Sequence, residues 1–366
     1  MKKILLLIIA VPLLILGCAN RTTPVATSAL KNSASPSADV AINSFTGTNA
    51  RLIGRFDLTT RGQAKFTWPG SALEFRFQGV NASINIASQM QVRFEVNIDG
   101  TTHDLWVNAG NHNYPLASNL AKGTHTIRLT RVNESTAGIT AFISDPQVDG
   151  TLLPPTVASN RHLLVIGDSI TAGYGVEGTT PSCHYTLDTS NQQLTYAALA
   201  ANALGADLHA IAWSGIGAWR SYGEKTPVNP TIGVRYPRTL ADDPSSLWDK
   251  SQYTPDAIMI NIGTNDYWQG SVTDDYRAAM ANLIAKVQSD YPSKPIYLIV
   301  SPMLTAERHA AQKQVLNSLA KDKVKVFDLG ESTGAEGFGC DYHPNRVTHA
   351  RLGKVLEQSL KAELSW

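Results

Sequence analysis

"HLLVIGDSITAGYG", His162 to Gly175, decides how this chain is read. The apolar run Leu163 to Ile166 has the length of a buried strand, and it stops at Gly167. Asp168 and Ser169 follow, then Gly173 and Gly175. Downstream, apolar runs alternate with helix-period stretches. "ADLHAIAWSG", "DAIMINIG" (Asp256 to Gly263), "PIYLIVSP" and "VKVFDL" (Val324 to Leu329) read as strands. Leu194 to Leu204, "DDYRAAMANLIAKVQSDY", Ala306 to Ala320 and Arg346 to Leu364 read as helices. Such alternation predicts a doubly wound α/β domain, a parallel sheet covered on both faces. Ligands of that class bind at the carboxyl ends of the strands, where Ser169 falls. The competing reading is a plain strand-to-helix turn with Asp168 or Ser169 as N-cap. The stretch is not G-x-G-x-x-G, and no Gly-Lys-Ser/Thr follows, so a phosphate cradle is unsupported. Nor is it the G-x-S-x-G elbow.

Before this domain the period is two. Leu73, Phe75 and Phe77 alternate with Glu74 and Arg76, and Val92, Phe94, Val96 and Ile98 with Arg93, Glu95 and Asn97. Asp99-Gly100 gives a hairpin signal before Leu105 and Val107; Ile127 and Leu129 flank Arg128. These short strands predict an antiparallel sandwich. Pro154-Pro155 marks its end. The expected division is a signal segment over 1–18, a flexible Ser/Thr/Ala/Pro-rich linker over 19–45, a sandwich over 46–155 and the α/β domain over 156–366.

The 366 residues carry a net charge of +1 with no basic stripe, which gives nucleic-acid binding no electrostatic support. Lys2 and Lys3 precede an apolar segment, Ile4 to Leu16, of signal-peptide length. "ILGC", Ile15 to Cys18, resembles the bacterial lipoprotein signal, which implies lipidation of Cys18. Ala19 in place of an aspartate implies sorting to the outer membrane. The alternative is an ordinary cleaved signal peptide, and either one predicts export. In an exported protein the two other cysteines, Cys183 and Cys340, can form a disulfide. No signal for oligomerisation is evident, so a monomer is expected. No spacing of His and carboxylate residues suggests a metal, and no cofactor is expected.

Three further segments fall where the crevice should be: "AWSGIG" (Ala212 to Gly217), "NIGTND" (Asn261 to Asp266) and "CDYHPN" (Cys340 to Asn345). With "GDSITAG", in this order, they resemble the SGNH/GDSL hydrolase superfamily, which has a flavodoxin-like α/β fold. The resemblance implies Ser169 as nucleophile and His343 as base. It also implies an oxyanion hole of the Ser169 and Gly215 backbone N–H groups and the Asn265 amide. Gly217 is the alternative to Gly215. The superfamily usually places an aspartate three residues before the histidine. Here Cys340 holds that position, and Asp341 stands one residue later. Either Asp341 or backbone carbonyls then orient His343. Tyr267, Trp268 and Trp219 suit stacking on a sugar, or hydrophobic core. His184 is placed to line the cleft.

A narrower resemblance covers nearly all of residues 50 to 366. "LIGRFD", "WPGSALEFRFQG" and "VNIDG" look like the jelly-roll domain of carbohydrate esterase family 2, and "TLADDPSSLWD", "TPDAIMINIGTND" and "GCDYHPN" like its catalytic half. That resemblance implies a cofactor-free serine esterase that removes acetyl groups from xylan and related polysaccharides. The rival readings are an esterase or thioesterase acting on lipid esters, and a non-catalytic glycan-binding lipoprotein.

Overall fold

The computed structural model describes residues 44–270 and 272–366. Cys18, the signal segment and nearly all of the linker lie outside the described residues.

The period-two segments pair as antiparallel strands in two facing sheets. One runs β1 (Ala50–Ile53), β3 (Ala72–Gly79), β8 (Gly123–Arg131), β5 (Val92–Ile98), β6 (Thr101–Val107), with β11 (Thr151–Leu153) also on β3. The other runs β10 (Gln147–Val148), β4 (Ala82–Ser88), β9 (Thr140–Phe142), β2 (Ala64–Phe66), with β7 (Gly110–Ala117) also on β4. Alternation puts Leu73, Phe75, Phe77, Phe94 and Val96 on one inner face, against Phe66, Ile84, Ile86 and Phe142 of the other sheet; all are fully buried. The sequence pattern shows β3, β5, β6 and β8. It hides β7, where Asn111, His112 and Asn113 are exposed and Pro115 interrupts the run.

The second domain holds a five-stranded parallel sheet in the order β13 (Asp207–Ala212), β12 (His162–Gly167), β14 (Ala257–Asn261), β15 (Ile296–Ile299), β16 (Val324–Phe327). Successive residues of β12 serve opposite faces. Leu163 and Val165 pack with α2 (Tyr196–Leu204) and α6 (Arg346–Leu364). Leu164 and Ile166 pack with α4 (Thr273–Asp290) and α5 (Ala306–Leu319). The chain leaves β12 to one side for β13 and returns to the other for β14. The carboxyl end of β12 is therefore the switch point where such sheets open a crevice. Two short helices, α1 (Ser169–Ala172) and α3 (Ile232–Arg235), were not evident in the pattern.

The sandwich and the α/β domain belong to one compact unit. Trp68, from the sandwich, is fully buried in the core beneath the parallel sheet, and its indole N–H donates to the Arg238 carbonyl at 3.3 Å. The chain after β8 is joined to the α/β domain by hydrogen bonds. The Gln192 N–H donates to the Val132 carbonyl (3.0 Å), and the buried Asn133 amide donates to the carbonyls of Leu187 (2.9 Å) and Ser190 (3.1 Å).

Candidate active site

Ser169 begins α1 at the end of β12. The Asp168 carboxylate accepts the Ile170 N–H at 3.0 Å and caps the helix, so the cap and the cleft-facing hydroxyl are neighbouring residues. The turn closes at Gly173, whose φ of +83° is left-handed. Asp168 is fully buried; that burial raises its pKa to about 7, against the hydrogen bonds from Thr264 and Ile170.

The Ser169 hydroxyl lies 2.9 Å from His343 Nε2. His343 Nδ1 faces the carbonyls of Cys340 and Asp341, each at 3.2 Å. The Asp341 carboxylate points elsewhere: Oδ2 accepts the Tyr174 hydroxyl (2.7 Å) and Oδ1 meets His184 Nδ1 (2.8 Å). Those bonds outweigh partial burial and hold its pKa below the usual carboxylate range. Asp341 as orienting acid is thus corrected. Its backbone carbonyl faces the imidazole; its side chain does not. The cause is local: Asp341 and Tyr342 are both left-handed (φ 51° and 61°), which turns two successive side chains away. Asp341 still holds Tyr174, whose ring stacks on His343 with centroids 4.3 Å apart.

Cys183 and Cys340 are joined in a disulfide, with Cα atoms 4.6 Å apart. The Asp341 N–H donates to the Cys183 carbonyl at 3.0 Å, and the Cys340 N–H to the Gly175 carbonyl at 3.0 Å. The loop that follows Ser169 therefore fixes the carbonyls that face His343.

The glycine segment follows β13. Gly215 lines the cleft in a left-handed conformation (φ +77°), where a Cβ would meet only Tyr222 Cβ, at 3.8 Å. Gly217 does not line it; a Cβ there would lie 1.9 Å from the Arg220 carbonyl. Of the two glycines, Gly215 is the one at the cleft. Asn265 is buried and gives one amide hydrogen to the Ile216 carbonyl at 2.8 Å, leaving the second for the cleft. Asp266 is buried too, and burial raises its pKa to about 6 although it accepts the N–H groups of Ala218, Trp219 and Arg220 at 2.7–3.0 Å.

The cleft has a volume of about 470 Å³. Besides Ser169, Gly215, Asn265 and His343, it is lined by Tyr174, Tyr185, His184, Tyr222, Trp268 and Met303. Trp268 is half exposed, and its ring lies 4.8 Å from that of Tyr222. Tyr267 is not at the cleft. It is fully buried and packs edge-on against Tyr276, because adjacent residues of the turn point in opposite directions. Trp219 is not there either; its ring lies beneath the Arg220 guanidinium, 5.3 Å away. Tyr222 was missed by sequence reasoning. It sits in a polar loop with no periodic signal, and only the fold brings it to Trp268.

Comparison with known proteins fits this geometry. A family model described as carbohydrate esterase 2 N-terminal matches residues 52–155, and one for the GDSL-like lipase/acylhydrolase family matches residues 165–351, over half the chain. The structure of a family two carbohydrate esterase from Clostridium thermocellum in complex with cellohexaose superposes with a TM-score of 0.83 at 33% identity, covering 87% of this chain and 99% of that one. The chain belongs to carbohydrate esterase family 2. Among curated family relatives, the cellulase/esterase CelE of Acetivibrio thermocellus is 34% identical over 86% of this chain, which spans 39% of CelE's length. An acetylxylan esterase / glucomannan deacetylase of Cellvibrio japonicus is 28% identical, over 80% of this chain and 83% of its own. In this family 2 chain the sandwich spans the first match and the parallel-sheet domain the second.

Proposed function

We propose that the protein is an exported, lipid-anchored serine esterase that removes O-acetyl groups from xylan or a related polysaccharide. One observation carries the reading: a serine hydroxyl 2.9 Å from an imidazole, in an open cleft walled by the exposed rings of Tyr222 and Trp268. Ser169 Oγ attacks the acetyl carbonyl and passes its proton to His343 Nε2. The carbonyl oxygen becomes an oxyanion, held by the N–H groups of Ser169 and Gly215 and by the Asn265 amide. His343 then returns the proton to the departing sugar oxygen. Water, deprotonated by the same ring, attacks the acetyl-serine and frees acetate. The carbonyls of Cys340 and Asp341 take the part that a carboxylate plays in a triad, fixing the tautomer and easing charge on the ring. The names of the curated relatives support a polysaccharide substrate. Cys18 is the proposed lipid attachment point, placing a monomer at the outer membrane.

The test is acetate release from acetylated xylan, compared with hydrolysis of a short aryl acetate and of long-chain acyl esters. Release from xylan and the aryl acetate, with little hydrolysis of long chains, is expected. Preference for long chains would replace this reading with lipid-ester hydrolysis, and glycan binding without release would replace it with a binding role.

The pH profile follows from His343. Burial lowers its pKa to about 4, although the two carbonyls and Asp341 act the other way. The base works only when neutral, so kcat/KM is expected to rise as pH increases through about 4 and then level off. An acid limb centred at the ordinary histidine value of about 6.5 would contradict this.

A further inference from the structure

The sandwich sends one carboxyl group to the back of the cleft. Glu134 lies just after β8 and is buried to 2% exposure. Its Oε2 accepts the Ser214 N–H at 3.1 Å. The next N–H along the chain is that of Gly215. The peptide unit carrying it is bracketed by two anchors: Glu134 on the Ser214 N–H, and the Tyr222 N–H on the Gly215 carbonyl at 2.8 Å. The remaining hydrogen bonds of residues 213–217, among the described residues, come from the α/β domain. The Ile216 N–H closes a turn around Ser214 and Gly215 on the Trp213 carbonyl (3.3 Å), the Trp213 N–H reaches the Gly167 carbonyl (3.3 Å), the Asn265 amide reaches the Ile216 carbonyl (2.8 Å), and the Ile232 N–H reaches the Gly217 carbonyl (3.1 Å).

Glu134 is itself rigidly presented. The Arg131 guanidinium, fully buried, donates to the carbonyls of Asn133 (3.2 Å), Glu134 (2.8 Å) and Gly138 (2.8 Å), and so closes the turn. Asn133 locks the same turn onto the α/β domain through Leu187 and Ser190. A buried carboxyl group costs free energy unless its acceptors are used. Here that group is directed at Ser214 beside the cleft, and it does not itself line the cleft.

We infer that Glu134 is a positioning residue for the oxyanion hole, through which the sandwich domain sets the direction of the Gly215 N–H. This deepens the esterase reading above and rests on it. The sandwich then acts in turnover without touching substrate. Loss of the anchor leaves the Ser214–Gly215 peptide held by the longer Ile216–Trp213 turn bond and by the Tyr222 N–H alone, and a donor displaced by about 1 Å costs up to about a hundredfold in rate. Ground-state binding against Tyr222 and Trp268 is untouched, so the loss falls on kcat.

The experiment compares Glu134→Gln, which keeps an acceptor oxygen, with Glu134→Leu, which keeps the bulk and removes it. Glutamine keeps the shape of Glu134 and an acceptor oxygen for the Ser214 N–H. Readouts are kcat and KM on an aryl acetate, affinity for an aryl boronic acid as tetrahedral analogue, and Tm. Glu134→Leu is expected to lose roughly ten- to a hundredfold in kcat, with KM within about twofold and boronate affinity reduced in parallel. Glu134→Gln is expected to stay within about threefold of wild type. Equal losses in both variants, a change in KM alone, or an unimpaired Glu134→Leu with an active wild type would overturn the inference and leave the esterase reading standing. A wild type inactive on the aryl acetate would overturn both. Should Glu134→Leu not fold, Glu134→Ala takes its place; if neither folds, Glu134 serves stability and the inference falls.

Discussion

Replacing Ser169 by alanine is expected to abolish acetate release, lowering kcat by about 10⁴-fold or more, with the fold and glycan binding intact. The size follows from what is removed. The hydroxyl is the atom that forms the acyl-enzyme, and none of the remaining groups can take its place. The oxyanion donors survive, because the Ser169 N–H belongs to the backbone, but they would have only water to assist. The fold should survive because the cap of α1 is Asp168 on Ile170 and does not involve Ser169 Oγ. Alanine is also at least as good a helix former as serine. Acetate release, Tm and oligosaccharide binding of wild type and Ser169→Ala should therefore separate cleanly. His343→Ala should fall by a similar factor, and the double variant no further, since the two residues act as one unit. A Ser169→Ala protein retaining more than a few per cent of wild-type release would sink the serine mechanism.

The α/β fold was legible because its strands are buried on both sides. β12 is apolar at every position from Leu163 to Ile166, and its neighbours repeat the pattern. The sandwich was half legible. Strands with large residues on one face, such as β3 and β5, alternate visibly; a three-residue strand such as β2 and a largely polar one such as β7 do not. The meeting of Ser169, Asn265 and His343 at one cleft was legible because each closes a strand or loop at the sheet's carboxyl edge, where the topology brings them together.

What escaped the sequence depends on backbone angles or distant partners. The direction of the Asp341 side chain is set by two left-handed residues and by Tyr174 and His184, from a loop more than 150 positions away. Gly215 and Gly217 differ only in what surrounds them: open cleft for the first, the Arg220 carbonyl for the second. Tyr267 and Trp268 are adjacent, yet one is core and the other wall. Glu134 carried no signal at all. It is one polar residue after a sandwich strand, and its partner is a backbone N–H in another domain.

Asn265→Ala is expected to lower kcat by about 10²–10³-fold while KM changes little. The amide makes one fixed hydrogen bond, to the Ile216 carbonyl, and that bond aims the second N–H into the cleft beside Ser169 and Gly215. A donor held in place before charge develops is worth about 2.7–4 kcal/mol to the transition state, because no reorganisation is needed when the oxyanion forms. The ester's neutral carbonyl gains far less from it, so the loss appears in kcat and only weakly in binding. Removing the side chain also leaves the buried Ile216 carbonyl short of a donor, which costs stability of about 1–3 kcal/mol and is read separately as a fall in Tm. Asn265→Asp separates the two effects. It keeps the shape but brings acceptor oxygens, and a negative charge when ionised, to the place where negative charge must form. That variant is expected to be at least as inactive as Asn265→Ala. If Asn265→Asp kept near-wild-type kcat, Asn265 would not be an oxyanion donor, and stabilisation would fall to the backbone N–H groups of Ser169 and Gly215 alone.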